Sequence, residues 1–197
     1  MASATEIPRF TPEQYLALER KADFKSEYCN GYIIAMAGTS KEHNQVAGNV
    51  YRKIGNQIED RPCTIYFSEM RVRVSPTGLY TYPDVVAFRG EAEFEDDKID
   101  TLLNPTIIAE VLSPTTEAYD RGDKFAQFRR LVSLQEYVVI AQDKVLVEGY
   151  TRRRDEWVLK EFRSLDESLR LESINCEIPL REIYAKVKIP PERPART

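Results

Sequence analysis

Three consecutive segments constrain the fold more than any other part of the chain. They are an apolar run at 107–112, "IIAEVL", a helical pattern at 115–133, and a second apolar run at 136–142, "EYVVIAQ". Short apolar runs between turn residues predict buried strands. The helical segment places four apolar residues on one face: Phe125, Phe128, Leu131 and Val132. Strand, helix, strand is a crossover unit that joins parallel strands, so we predict a mixed sheet with at least one helix packed on each face.

The N-terminal part predicts a helix, a β-hairpin and a second, longer helix. Thr11 followed by Pro12 is a typical helix start. Asn30-Gly31, between "SEYC" and "YIIAMA", is a strong hairpin signal because both residues tolerate positive φ. Ser40 can cap a helix over 41–60, in which apolar residues recur every four positions, at Val46, Val50, Ile54 and Ile58. This stripe should pack on the sheet.

The remaining segments complete an α/β (α+β) chain. Runs rich in β-branched and aromatic residues at 63–69, 70–76, 79–90, 144–153 and 156–162 predict further strands. A length of 197 residues suits one domain. We predict a single domain over 10–187, between an N-terminal tail at 1–9 and a frayed, Pro-rich tail at 188–197.

Composition excludes several classes of protein. We expect a cytoplasmic protein without a membrane segment, because no apolar run approaches 20 residues and the N-terminus lacks a secretory signal. Three widely spaced cysteines and a single histidine argue against a disulfide framework and against a zinc site. The net charge of −4 argues against a large non-specific nucleic-acid surface, although a local basic groove remains compatible with it.

Two carboxylates in strand-like segments point to a functional site. Glu110 lies within an apolar run, where an ionised side chain is costly unless it is paired. Asp84 follows Pro83, so a strand should begin or be distorted there. If the two strands are neighbours, the carboxylates meet, and such pairs persist mainly when a divalent cation neutralises them. Oxygen ligands suit Mg²⁺ or Mn²⁺, whose common chemistry is phosphodiester hydrolysis. Lys124, on the following helix, could supply a cation beside the phosphate.

These residues resemble a nuclease signature. Pro83-Asp84 followed by Glu110-Val111-Leu112 is similar to the PD-(D/E)XK motif, except that Leu112 stands where the motif has lysine. The wider pattern, "EYCNGYIIAMAGTSKEHN", "YTYPDVVAF", "AEVLSPTTEAYDRGDKFAQF" and "SLQEYVVIAQ", resembles the Uma family of restriction endonuclease-like proteins over roughly 10 to 165.

The resemblance implies a restriction endonuclease-like core in which a lysine from the next helix replaces the missing one. Asp84 and Glu110 would then be metal ligands, Lys124 the relocated catalytic lysine, and Glu27 an additional acidic residue that completes the metal shell.

Each of these four residues has a simpler interpretation. Glu110 could pair with a buried Arg or Lys, and Asp84 could be a turn residue at the start of a strand. Lys124 lies in a highly charged helix and could be solvated, and Glu27 could be a cross-strand surface residue beside the hairpin turn.

Three further residues are candidates for substrate binding. His43, near a helix N-terminus, could orient water or contact a phosphate, or simply cap backbone groups. Arg71 and Arg73 alternate along a strand and could line a phosphate path, although such residues usually form a solvated face.

The sequence therefore favours a metal-dependent endonuclease, with DNA as the expected substrate and Asp84, Glu110, Glu27 and Lys124 as its catalytic residues. The main alternative is a non-catalytic nucleic-acid- or protein-binding module with a degenerate nuclease fold. A structural dimerisation domain, with the acidic residues in an ion-pair cluster, is a third interpretation. A homodimer is possible under the first hypothesis because many such nucleases pair to cut both strands.

Overall fold

A computed structural model describes residues 9–75 and 77–189. Most of the two predicted tails, 1–8 and 190–197, lies outside the described residues, and the single-domain boundaries stay a prediction. Among the described residues, no helix combines the length and the apolar character needed to cross a membrane.

The predicted N-terminal helix and hairpin are confirmed. Helix α1 spans Pro12–Glu19, and Thr11 and Gln14 form a capping box at its start. Strands β1 (Ser26–Cys29) and β2 (Tyr32–Ala35) pair antiparallel. The turn between them places Asn30 at φ 50° and Gly31 at φ 92°, the left-handed conformations that this pair of residues tolerates.

Helix α2 also forms as predicted and spans Lys41–Ile58, with the Ser40 hydroxyl accepting a hydrogen bond from the backbone N–H of His43. The other helices are short: α3 (Glu117–Tyr119), α4 (Phe125–Phe128) and α5 (Leu180–Ile183). The strands after the hairpin are β3 (Cys63–Phe67), β4 (Arg71–Val74), β5 (Leu79–Thr81), β6 (Val85–Arg89), β7 (Thr101–Leu102), β8 (Ile107–Leu112), β9 (Glu136–Ala141), β10 (Val147–Arg153), β11 (Glu156–Phe162), β12 (Ser168–Leu171) and β13 (Cys176–Pro179).

The main sheet has six strands in the order β11-β10-β9-β8-β6-β3. Strands β8 and β9 are parallel, as the crossover unit requires, and the other pairs are antiparallel. The mixed sheet and the α+β class are thereby confirmed. One face of this sheet packs on α2, whose four-residue stripe, Val46, Val50, Ile54 and Ile58, is fully buried.

A second sheet covers the opposite face. It contains five strands in the order β2-β1-β5-β4-β7, and its Val72 and Leu102 share one apolar cluster with Val86 and Ile108 of the main sheet. Phe128 of α4 belongs to the same cluster, so each face of the main sheet does contact a helix. Strands β12 and β13 form a separate pair that, with α5, packs beside α2.

The segment at 79–90 does not form one continuous strand. It divides into β5, which joins the second sheet, and β6, which joins the main sheet. Pro83, which cannot donate to a strand ladder, lies at the break together with Asp84. The chain therefore passes from the second sheet to the main sheet at Asp84.

The prediction of one long helix over 115–133 is wrong about its length. Between α3 and α4 the chain forms a π-helical segment, Asp120–Lys124, and α4 ends at Phe128. Val132, predicted on the buried face, is 87% exposed. The Arg152 guanidinium donates to three backbone carbonyls beyond or near the helix end, those of Arg129, Leu131 and Leu134. It satisfies groups that another helical turn would have bonded internally.

Candidate active site

Asp84 and Glu110 meet because their strands are neighbours in the main sheet. Val85 of β6 pairs with Ala109 of β8. The backbone N–H of Asp84 donates to Glu110 Oε2 at 3.3 Å, and the backbone N–H of Val111 donates to Asp84 Oδ2 at 2.8 Å. Each carboxylate is thus restrained by the other's strand.

Lys124 lies among three carboxylates. Its Nζ is 2.9 Å from Glu110 Oε1, 3.2 Å from Glu27 Oε1 and 3.6 Å from Asp120 Oδ1. The π-helical segment presents both Asp120 and Lys124 to the site; π-bulges within helices are frequently found at functional sites. The simpler interpretation of Lys124 as a solvated residue is wrong, because it is only 5% exposed.

Burial sets the electrostatics of this cluster. Burial raises the pKa of Glu110 more strongly than the Lys124 ammonium lowers it, and the Asp84 and Asp120 charges raise it further. Burial also raises the pKa of Asp120. Burial alone would lower the pKa of Lys124, but the charges of Glu110, Glu27 and Asp120 outweigh it and hold that pKa well above its usual value. The lysine is therefore a fixed positive charge.

Glu27 reaches this cluster from the second sheet. It lies on β1, where the Thr81 hydroxyl donates a short hydrogen bond to the same Oε1 that faces Lys124. Its side chain is 13% exposed, so the surface interpretation of Glu27 is wrong. The site is consequently assembled across both sheets.

His43 joins the site from the first turn of α2. Its Nε2 lies 3.2 Å from Asp84 Oδ2, and the residue is buried. Its Nδ1 is also buried and has no hydrogen-bond partner among the described residues. His43 and the backbone N–H of Val111 therefore both contact Asp84 Oδ2 and restrain this carboxylate.

Arg71 and Arg73 are not brought together with the carboxylates. Arg71 is buried, pairs with Asp100 at 2.8 Å and donates to the hydroxyls of Thr101 and Tyr82. Arg73 pairs with Glu95 at 2.5 Å. Neither arginine lines the cavity at the site. Each pairs with an acidic side chain of the protein. The interpretation of Arg71 as part of a solvated face is wrong, because Arg71 is buried.

The carboxylates form the floor of a cavity of about 680 Å³. Its lining includes the segment from β2 to the start of α2, residues 34–40, and residues of the segment from Ser113 to Tyr119. Glu27, Asp84, Glu110, Lys124 and His43 all line it. Substrate-sized molecules can thus reach the buried charges.

Sequence reasoning missed Asp120. It is 4% exposed, and its backbone carbonyl accepts a hydrogen bond of 3.0 Å from the Tyr137 hydroxyl. The spacing of four residues between Asp120 and Lys124 was a signal for an ion pair. In a segment as charged as "DRGDK", that signal did not distinguish a buried pair from a surface pair.

The donor set fits a hard divalent cation in its chemistry. Carboxylate oxygens are the preferred ligands of Mg²⁺ and Mn²⁺. Glu110 Oε1 is buried and accepts no well-aligned hydrogen bond from the described residues, although Lys124 Nζ is near it. In the part of the chain that the structure describes, no three Asp, Glu, His or Cys side chains converge as a ready ligand cluster. Lys124 lies between carboxylates that could otherwise share a cation.

Comparison with known proteins identifies the family of the chain. The Uma2 family model, described as "Putative restriction endonuclease", matches residues 12–181. Two relatives from Synechocystis sp. are "Uncharacterized protein sll1609" and "Uncharacterized protein slr1290". The first is 38% identical over 77% of this chain and 86% of its own length. The second is 32% identical over 90% of this chain and 93% of its own length.

A solved structure shares the fold. It is described as a putative nuclease belonging to DUF820 from Anabaena variabilis, and it superposes with a TM-score of 0.74 at 17% sequence identity. The match covers 89% of this chain and 98% of that one. The restriction endonuclease-like fold predicted from the sequence is confirmed by this match. The chain belongs to the Uma2 family, whose description is "Putative restriction endonuclease".

Proposed function

We propose that this protein is a metal-dependent nuclease that hydrolyses phosphodiester bonds, with DNA as the expected substrate. One observation carries the proposal: at the floor of an accessible cavity, the Lys124 ammonium lies 2.9 Å from Glu110, whose Oε2 accepts a hydrogen bond from the backbone N–H of Asp84. A purely structural ion pair would need one carboxylate for one lysine. Here the cluster holds an excess of carboxylates, which a divalent cation would neutralise.

The position of Leu112 supports the relocated lysine. Leu112 is buried in the apolar cluster between the two sheets, together with Phe128. A lysine at 112 would have to place its ammonium in or beside that cluster, at a large desolvation cost. Lys124 reaches Glu110 from the crossover instead, so the cation is supplied without disrupting the core.

Asp84, Glu110 and Glu27 would hold Mg²⁺ or Mn²⁺. A bound ion of this kind supplies an activated water and screens the charge of the scissile phosphate. Lys124 would position the attacking water or stabilise negative charge on the phosphate. The water oxygen would form a bond to phosphorus and lose a proton as the phosphorus–oxygen bond to the leaving sugar breaks, and the sugar oxygen would gain a proton.

The Val111 N–H and His43 would act through Asp84. Both contact Asp84 Oδ2, at 2.8 and 3.2 Å. They restrict the carboxylate to one orientation, which keeps its charge directed at the site when substrate enters. We therefore regard His43 as a positioning residue.

The test is a nuclease assay on single- and double-stranded DNA and RNA, with Mg²⁺, Mn²⁺ or EDTA. We expect cleavage that requires metal and falls at least a hundredfold in Asp84→Asn and Glu110→Gln, with circular dichroism unchanged. The exposed Glu161→Gln variant, on β11 and outside the cavity, serves as the matched control. Full activity in Asp84→Asn or Glu110→Gln would refute the proposed site.

A non-catalytic binding module is the second candidate. The observation that favours it is that Lys124 already neutralises part of the acidic cluster without a metal. That candidate predicts binding of nucleic acid or protein that EDTA does not alter, and no cleavage in either metal. The cytoplasmic location and the homodimer stay predictions, which fractionation and light scattering can test.

A further inference from the structure

The cavity has the size of a nucleotide site. Its volume of about 680 Å³ falls within the range of small-molecule sites, roughly 300–1,000 Å³. The carboxylates lie at the floor: Glu110 is only 4% exposed. A substrate must therefore insert part of itself between the walls.

The charge of the cavity also disfavours a long duplex. Its lining contains four carboxylates, Glu27, Asp84, Glu110 and Asp120, whereas Lys124 is the single Lys or Arg among the described lining residues. Affinity for duplex DNA rests mainly on several Lys and Arg contacts to phosphates along the backbone. This cavity offers one such contact at its floor.

The walls are suited to a base. The apolar and aromatic residues that line the cavity include Ile34, Met36 and Ala37 from one segment of the chain and Pro114 and Tyr119 from another. Unpaired bases are bound by stacking on aromatic and apolar side chains, a mode that a paired base within a helix cannot use. The apolar walls suit a base, and the Lys124 ammonium, together with the divalent cation of the proposed function, suits the phosphate of the same nucleotide.

We propose that the cavity takes one unpaired nucleotide, from a single strand or a strand end, with its base between these walls and its phosphate beside Lys124. The proposal rests on the proposed function in taking nucleic acid as the ligand. It identifies the substrate class as single-stranded nucleic acid, and it makes Tyr119 a determinant of specificity.

Fluorescence anisotropy on the full-length protein in Mg²⁺ tests this, with short phosphorothioate-linked oligonucleotides that resist cleavage. We expect the single strand to bind at least tenfold more tightly than the blunt duplex of the same sequence. Tyr119→Ala should weaken single-strand binding about tenfold, the scale of one lost base–aromatic contact. Tyr119→Phe should retain it. The control is Tyr51→Ala, which removes an exposed tyrosine of α2 that lies outside the cavity.

Met36→Ala, in the other segment that lines the cavity, provides a second variant if Tyr119→Ala does not fold, and we expect it to weaken single-strand binding about threefold. Equal affinity for the blunt duplex, or unchanged single-strand binding in the folded wall variants, would overturn the inference. The cleavage assay is read separately. If the protein cleaves duplex interiors and the wall variants bind single strands normally, the nuclease proposal holds and the single-strand inference fails. If it prefers single strands but cleaves nothing, the single-strand inference holds and the nuclease proposal fails.

Discussion

Lys124 Nζ lies 2.9 Å from Glu110 Oε1, and the two side chains are 7% and 6% exposed. Glu110 comes from the parallel strand β8, and Lys124 comes from the crossover that follows it. The pair answers why an apolar strand carries a carboxylate, since a buried charge is tolerated when it is paired. The excess of carboxylates around the lysine is what distinguishes this cluster from a simple ion pair.

Metal binding should stabilise the wild-type protein. At a free Mg²⁺ or Mn²⁺ concentration of 100 times Kd, a single site that forms only in the folded state contributes about 2.7 kcal/mol. We expect the melting temperature to rise with either ion and the rise to disappear in Glu110→Gln. Thermal shift with Mg²⁺, Mn²⁺ and EDTA measures this. If neither ion raises the melting temperature of the wild-type protein, the binding-module hypothesis is favoured instead.

Removal of the lysine charge should affect both activity and stability. Lys124→Met leaves buried carboxylates without their cation, and breaking such a pair costs about 3–5 kcal/mol of unfolding free energy. We expect cleavage to fall at least a hundredfold. Urea unfolding and the nuclease assay measure the two effects. The exposed Lys98→Met is the control, and equal behaviour of the two variants would contradict the role of Lys124.

Glu110 should make the protein less stable as the pH rises. Burial raises its pKa in the folded state above the ordinary value of 4.5, so the folded state binds more protons than the unfolded state in that window. The free energy of unfolding therefore decreases as the pH increases from about 4.5 towards the raised pKa. Glu110→Gln should flatten this slope in urea unfolding at several pH values without metal. An unchanged slope would show that Glu110 ionises normally.

Asp100 should make the protein less stable as the pH falls into the acidic range. Hydrogen bonding to Arg20, helped by the charge of Arg71 and opposed by partial burial, holds the pKa of Asp100 well below its usual value. Its stabilising contribution is present above the ordinary value of 3.8 and is lost as the pH falls through the depressed pKa. Asp100→Asn should therefore be less stable than wild type at pH 6, and the difference should shrink in acid. A pH-independent difference would refute this.

Features that depend on neighbouring residues in the chain were determined by the sequence. The Asn30-Gly31 hairpin follows from the φ angles that these two residues tolerate, and the α2 stripe follows from helical periodicity. The meeting of Asp84 and Glu110 followed once their strands were taken as neighbours.

Only the tertiary structure decided the rest. The change of sheets at Asp84, the π-helical segment that buries Asp120, and the internal pairing of Arg71 with Asp100 all depend on residues distant in the chain. The helix predicted over 115–133 ends at Phe128, and Arg152, from a distant strand, bonds the carbonyls of Arg129, Leu131 and Leu134 beyond that end. The local sequence pattern specifies the periodicity of the helices and strands and the positions of the turns. Which charge is buried against which partner is set by long-range packing, because desolvation and pairing energies depend on all neighbouring groups at once.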